Sequence, residues 1–123
     1  MKSALTLVIV FCLTATHCKK DKESSGYYKG RLELKGVCMN YTIKILEGNI
    51  DTSLIESTWT VPNSNITYQN VFRLGSVCDF PPDINQGDEF YFKIGNRNIL
   101  GCVVCDAYSP TPRKQLSITV VNK

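Results

Sequence analysis

The sequence predicts an all-β protein: a small antiparallel sandwich or partly open barrel of about seven strands, stapled by disulfides. Apolar and polar residues alternate with a period of two in several short runs, which is the pattern of a half-buried strand. These runs are separated by breaks rich in Gly, Asn and Pro, with no helical segment between them, and this favours antiparallel pairing. Four cysteines fall within the predicted domain, and an even number in an exported chain indicates disulfides.

The N-terminus predicts export. Lys2 is followed by an apolar run from Ala4 to Leu13 and then by Cys18, which is typical of a cleaved signal. Such a run spans only about 15 Å as a helix, roughly half of a bilayer core, so a transmembrane anchor is not predicted. We therefore expect residues 1–17 to be removed as a signal peptide, residues 18–26 to form a flexible tether, and residues 27–123 to fold as a single β domain.

Cys18 indicates attachment to lipid. The stretch Ala15-Thr16-His17-Cys18, followed by Lys19-Lys20-Asp21-Lys22, resembles the lipoprotein signals of Bacteroidetes. The resemblance implies that Cys18 is acylated and that the mature protein is anchored to the outer membrane, facing either the periplasm or the cell surface. His17 stands where that pattern has a small residue, and secretion after cleavage behind Ala15 or Thr16 is the alternative.

Seven strands follow in order along the domain. Four have clear alternation, and their apolar positions are Leu32 and Leu34; Tyr41, Ile43 and Ile45; Phe90, Phe92 and Ile94; and Leu116, Ile118 and Val120. Weaker patterns predict three more, at Ser57–Val61, Thr67–Leu74 and Ile99–Val104. Gly95 and Asn96 accept positive φ, so a hairpin is predicted from Ile94 to Ile99. Asp51 is placed to cap a single helical turn before Ser57.

The domain cysteines Cys38, Cys78, Cys102 and Cys105 allow three pairings. A local bridge between Cys102 and Cys105 is disfavoured if their segment is extended, because three strand steps separate the Cα atoms by about 10 Å and a disulfide needs about 5.5 Å. A bend at Cys105-Asp106 would permit it. Otherwise each of the two must reach Cys38 or Cys78, and the bridges are then structural.

Three segments resemble small Bacteroidetes lipoproteins that have no established activity. They are Gly36-Val37-Cys38, Val77-Cys78-Asp79-Phe80-Pro81, and the stretch from Gly101 to Pro112 that contains Cys102-Val103-Val104-Cys105. The resemblance covers most of the chain. It implies an exported β domain with paired cysteines, and it brings no catalytic or binding residue with it.

The missing residue types exclude several functions. Removal of residues 1–17 deletes His17, the only histidine, so Ser-His-Asp and Cys-His catalysis and histidine-ligated metals are not expected. Asp83 and Asp88 are better explained as turn residues than as an acid pair or a calcium site, and no cofactor or metal is predicted. Loss of Lys2 leaves thirteen Lys and Arg against eleven Asp and Glu; because the basic residues are scattered, no nucleic-acid partner is predicted.

These observations predict a non-enzymatic binding or structural module, lipid-anchored in the cell envelope, that presents a surface to an envelope protein or glycan. The candidate contact residues are aromatic: Tyr27, Tyr28, Trp59, Tyr68 and Tyr108. One alternative is a periplasmic thiol-disulfide protein that uses Cys102 and Cys105. Another is a small inhibitor or immunity-type lipoprotein, which the sequence does not distinguish from the first function.

Overall fold

The domain consists of short strands joined by turns, and the computed structural model describes residues 26–95 and 101–122. The strands are β1 Tyr28–Lys35, β2 Tyr41–Glu47, β3 Glu56–Thr60, β4 Thr67–Leu74, β5 Glu89–Ile94, β6 Gln115–Leu116 and β7 Ile118–Val121. Single 3₁₀ turns lie at Val37–Met39, Thr52–Leu54 and Val77–Asp79. Within the two described ranges, no helix is long and apolar enough to cross a membrane.

All seven strands belong to one sheet, in the order β3-β4-β2-β1-β5-β7, with β6 beside β4. The pairs are antiparallel except for β4 with β6, which is parallel. Only Ser117 separates β6 from β7. Because β6 pairs with β4 and β7 pairs with β5, the run of residues 115–121 connects the two sides of the sheet. The sheet therefore forms a partly open Greek-key barrel of five strands: β4, β2, β1, β5 and the β6–β7 run, which counts as one. β3 is an additional strand at its edge.

The barrel closes at the C-terminal end of β4. The buried Ser76 hydroxyl donates to the Ile118 carbonyl oxygen at 2.7 Å and accepts from the Ile118 N–H at 2.8 Å. The N–H of Gly75 donates to the Leu116 carbonyl oxygen at 2.7 Å. The Ser76 hydroxyl thus takes the place of the backbone hydrogen bonds that a neighbouring strand would make to Ile118. Ser76 therefore holds the β6–β7 run close to the end of β4.

Aromatic and branched side chains fill the barrel. Phe72 and Phe92 are fully buried, with ring centroids 6.0 Å apart, and Tyr28 stacks on Phe92 at 5.5 Å. Gly30 in β1 allows this packing, because a Cβ atom there would lie 3.0 Å from the Phe92 ring and 3.2 Å from Ile43. A side chain at Gly30 would push into two core residues at once.

The structure confirms the all-β class, the four strongly alternating segments and two of the three weaker strands, at β3 and β4. It corrects the third weaker strand and divides one of the four alternating segments in two. The predicted strand Ile99–Val104 is wrong over its described part, since residues 101–104 are irregular and exposed. The run predicted as one strand near Leu116 is split into β6 and β7, because it pairs with two different neighbours. Asp51 caps a 3₁₀ turn as expected, accepting from the Ser53 N–H at 2.9 Å. The predicted hairpin after Ile94 lies outside the described residues beyond Gly95.

Candidate functional site

Two long-range disulfides fix the loop of residues 101–112, here called the stapled loop, to one end of the barrel. They join Cys38 to Cys105 and Cys78 to Cys102, with Cα–Cα distances of 5.0 and 5.4 Å. Cys38 lies in the 3₁₀ turn after β1 and Cys78 in the turn after β4. Strands β1 and β4 are both antiparallel to β2, so their C-terminal ends lie at the same end of the barrel and hold the loop at two points.

The turn that carries Cys38 is held in an unusual conformation. Cys38 and Met39 have φ values of 55° and 59°, in the left-handed region that non-glycine residues rarely adopt. The Asn40 side-chain amide donates to the Val37 carbonyl oxygen at 2.8 Å and to the Ala107 carbonyl oxygen at 3.0 Å. The turn is therefore stabilised from the loop side by a hydrogen bond as well as by the disulfide.

The base of the stapled loop is packed, whereas its tip is exposed. Pro112 is fully buried. Ser109 lies so close to Gly36 that a Cβ atom on the glycine would be 2.5 Å from the serine hydroxyl oxygen. By contrast, Val103 and Tyr108 have exposed fractions of 101% and 82%. The disulfides thus hold a loop whose tip presents these two large side chains to solvent.

A groove of about 750 Å³ lies between β3 and the stapled loop, within the size range of ligand pockets. Its lining residues are Glu56, Trp59 and Pro62 on one side and Tyr108, Thr111, Arg113 and Lys114 on the other. Trp59 stacks on Tyr68, with ring centroids 6.2 Å apart and planes inclined by 19°. The groove thus has aromatic groups from two separate elements and two cations.

Lys114 is positioned by the turn at residues 52–54. Its ammonium group donates to the Ser53 carbonyl oxygen, while Asp51 accepts from the Ser53 N–H. The hydrogen bonds from Ser53, and to a smaller extent the charge of Lys114, hold the pKa of Asp51 below its ordinary value. The Asp51 carboxylate therefore fixes the turn against which Lys114 is held.

A second, smaller cavity of about 390 Å³ lies on the other side of the stapled loop. Its lining includes the Cys38–Cys105 bridge together with Arg73 and Asp106, and it shares Tyr108 and Thr111 with the groove. Tyr108, which is largely exposed, therefore lines both cavities.

The five predicted aromatic contacts do not form one platform. Trp59 and Tyr108 line the groove, and Tyr68 stacks on Trp59. Tyr28 instead packs on the core ring of Phe92, and Tyr27 lies under Lys93, whose Nζ is 4.5 Å from the ring centroid. The structure therefore does not bring Tyr27 and Tyr28 to the groove, and a partner contact at these two residues stays a prediction. Two charged lining residues, Arg113 and Lys114, were not predicted, although a basic pair directly after Pro112 is visible in the sequence.

No protein-family model, curated protein or solved structure matches the chain. In residues 26–95 and 101–122, no group of three or more His, Cys, Asp or Glu side chains could hold a metal ion.

Proposed function

We propose that this protein is a lipid-anchored module of the cell envelope that binds a partner, without catalysis, through the groove between β3 and the stapled loop. One observation carries the proposal: Trp59 and Tyr108, from distant parts of the chain, line the same groove as Arg113. Trp, Tyr and Arg are the residue types that most often dominate the binding energy of protein interfaces.

The disulfides favour binding because they order the loop in advance. A flexible loop loses conformational freedom when a partner immobilises it, and that loss weakens the complex. Here Cys102 and Cys105 are bridged on either side of Val103-Val104, and Cys105 lies three residues before Tyr108. Much of the ordering cost is therefore met during folding.

Anchoring through Cys18 is part of the proposal, although Cys18 lies outside the described residues. The two disulfides support an oxidising, exported location. Several acyl chains on Cys18 would hold the protein firmly to the outer membrane. The mass of the mature N-terminal peptide tests this: lipid on Cys18 is expected, whereas an unmodified N-terminus behind Ala15 or Thr16 would contradict anchoring and support secretion.

The pairing of the cysteines argues against the thiol-disulfide alternative. That function needs a reactive bridge between Cys102 and Cys105, but the two residues pair with Cys78 and Cys38 instead. An inhibitor or immunity-type lipoprotein would block another protein through the same groove and is one form of the proposed binding function.

The variant Tyr108→Ala is expected to lose its envelope partner. Truncation of an interface aromatic of this kind costs about 2 kcal/mol, or roughly thirtyfold in affinity. Tyr108 is 82% exposed, so the variant should keep the stability of the parent protein. The measurement is affinity capture from solubilised envelope fractions, quantified by mass spectrometry and accompanied by thermal unfolding of each variant.

Tyr27→Ala is the matched control for that experiment. Tyr27 is also an exposed tyrosine, but it lies beside Lys93, away from the groove. It should capture the same partner as the parent protein. Equal capture by Tyr108→Ala and Tyr27→Ala would show that the groove is not the binding site.

A further inference from the structure

Strand β3 offers a backbone edge beside the groove. It is the last strand in the sheet order, and among the described strands only β4 pairs with it. Natural edge strands are commonly protected by Lys, Pro or an inward charge. β3 carries one charge, Glu56 at its first position; the remaining residues, Ser-Thr-Trp-Thr, include no Lys, Pro or other charge, and Pro62 follows only after the strand has ended.

The groove follows this edge. Glu56 and Trp59 of β3 both line it, and three strand steps separate them by about 10 Å. An occupant lying along the groove would therefore run beside the strand over several residues. An extended peptide fits this geometry, because addition to a sheet edge supplies backbone hydrogen bonds, while alternate side chains enter the neighbouring pockets.

The charge of the groove favours an acidic occupant. Arg113 and Lys114 line it with one carboxylate, Glu56. Lys114 is also engaged outside the lining, by the Ser53 carbonyl oxygen and the charge of Asp51. Arg113 is exposed, and its planar guanidinium suits paired hydrogen bonds to a carboxylate. In an extended peptide every second side chain points the same way, so acidic residues at alternate positions would all face this pair of cations.

We infer that the groove binds an extended acidic peptide segment of a partner protein, which adds as a strand to the outer edge of β3 and places its carboxylates against Arg113 and Lys114. This inference rests on the proposed binding function and names the chemistry of the partner. Trp59 and Tyr108 would contact the apolar side chains of the same segment.

Trp59 provides a direct reporter, because it is the only tryptophan in the chain. The probe is a phage-displayed library of short random peptides, selected on the intact exported protein with both disulfides formed. Selected peptides are expected to be rich in Asp and Glu at alternate positions and to shift the Trp59 emission. Binding should weaken at least about tenfold in Arg113→Glu, with a smaller loss in Arg113→Gln.

Two controls separate strand addition from simple charge attraction. Lys93→Glu makes the same charge change on β5, beside Tyr27, and should leave peptide affinity unchanged. A selected peptide with alternate amides N-methylated keeps its carboxylates but loses backbone donors, so it should bind at least about tenfold more weakly. Equal binding of the methylated peptide, or equal loss in Lys93→Glu, would overturn strand addition at β3.

Other outcomes distinguish this inference from the proposed function. Selection of neutral or basic peptides, or of none that depends on Arg113, rejects an acidic peptide partner. If tetragalacturonate shifts the Trp59 emission and no peptide does, the groove binds an acidic glycan, so the inference fails and the binding function stands. If Tyr108→Ala also retains the envelope partner, both fail.

Discussion

Replacing Cys38 and Cys105 together by Ala is expected to lower the free energy of unfolding by about 4 kcal/mol. The bridge joins residues 67 apart in sequence, so its loss releases a long loop in the unfolded chain. Cys105 is exposed and Cys38 half-buried, so little packing is lost with them. Equilibrium denaturation in urea measures the effect, which is large against a total stability of about 5–15 kcal/mol.

The second bridge is the matched control. Cys78 and Cys102 are only 24 residues apart, and the chain-entropy relation gives about 3.5 kcal/mol for their removal. The loop that they close lies inside the one closed by Cys38 and Cys105. The explanation by loop entropy would be wrong if removing Cys78–Cys102 lowered the free energy of unfolding more than removing Cys38–Cys105. It would also be wrong if removing Cys38–Cys105 lowered it by less than about 1 kcal/mol.

Phe92→Ala is expected to destabilise the domain by about 3–5 kcal/mol, the range for truncating a fully buried phenylalanine. Phe92 has no exposed surface and contacts the rings of Tyr28, Phe72 and Phe90, at centroid distances of 5.5, 6.0 and 6.0 Å. The cavity would open where β1, β4 and β5 meet, and rigid strands on each side limit its collapse. Urea or thermal denaturation of the purified variant provides the measurement.

Two further substitutions serve as controls for the stability loss of Phe92→Ala. Phe92→Leu keeps most of the apolar volume and should cost clearly less than Phe92→Ala. Ile66→Ala removes an apolar side chain that is 54% exposed and should change stability by no more than about 0.5 kcal/mol. Equal losses in Phe92→Ala and Ile66→Ala would show that the barrel interior is not the main source of stability.

The alternation of apolar and polar residues correctly predicted the strands that have one buried face and one more exposed face. In β1, β2 and β5, Leu32, Ile43 and Phe92 point into the barrel while neighbouring charged residues are more exposed. The apolar run at residues 101–104 was misleading, because bridges at Cys102 and Cys105 hold Val103 in solvent rather than in the sheet. The two-residue parallel pair of β6 is followed by the contact of Ser76 with Ile118 in β7, and the separation of 42 residues between these two conceals that contact in the sequence.

The candidate site was only partly predictable, because it too depends on contacts between distant parts of the chain. Trp59 and Tyr108 were recognisable as possible contacts, but four cysteines allow three connectivities, and the observed one is what fixes the loop beside β3. Arg113 and Lys114 reach the groove because the chain that follows them pairs with β4. Sequence patterns describe local faces, whereas this site depends on contacts between residues far apart in the chain.

The most direct test of the binding groove is covalent capture in intact cells. A photoreactive benzophenone amino acid is placed at position 108 of the full-length protein and, as the control, at position 27. A crosslinked partner is expected from position 108 that is absent from position 27 and that disappears when Trp59→Ala is combined with the probe. No crosslink from position 108, or the same crosslinked species from both positions, would show that the groove is not the binding site.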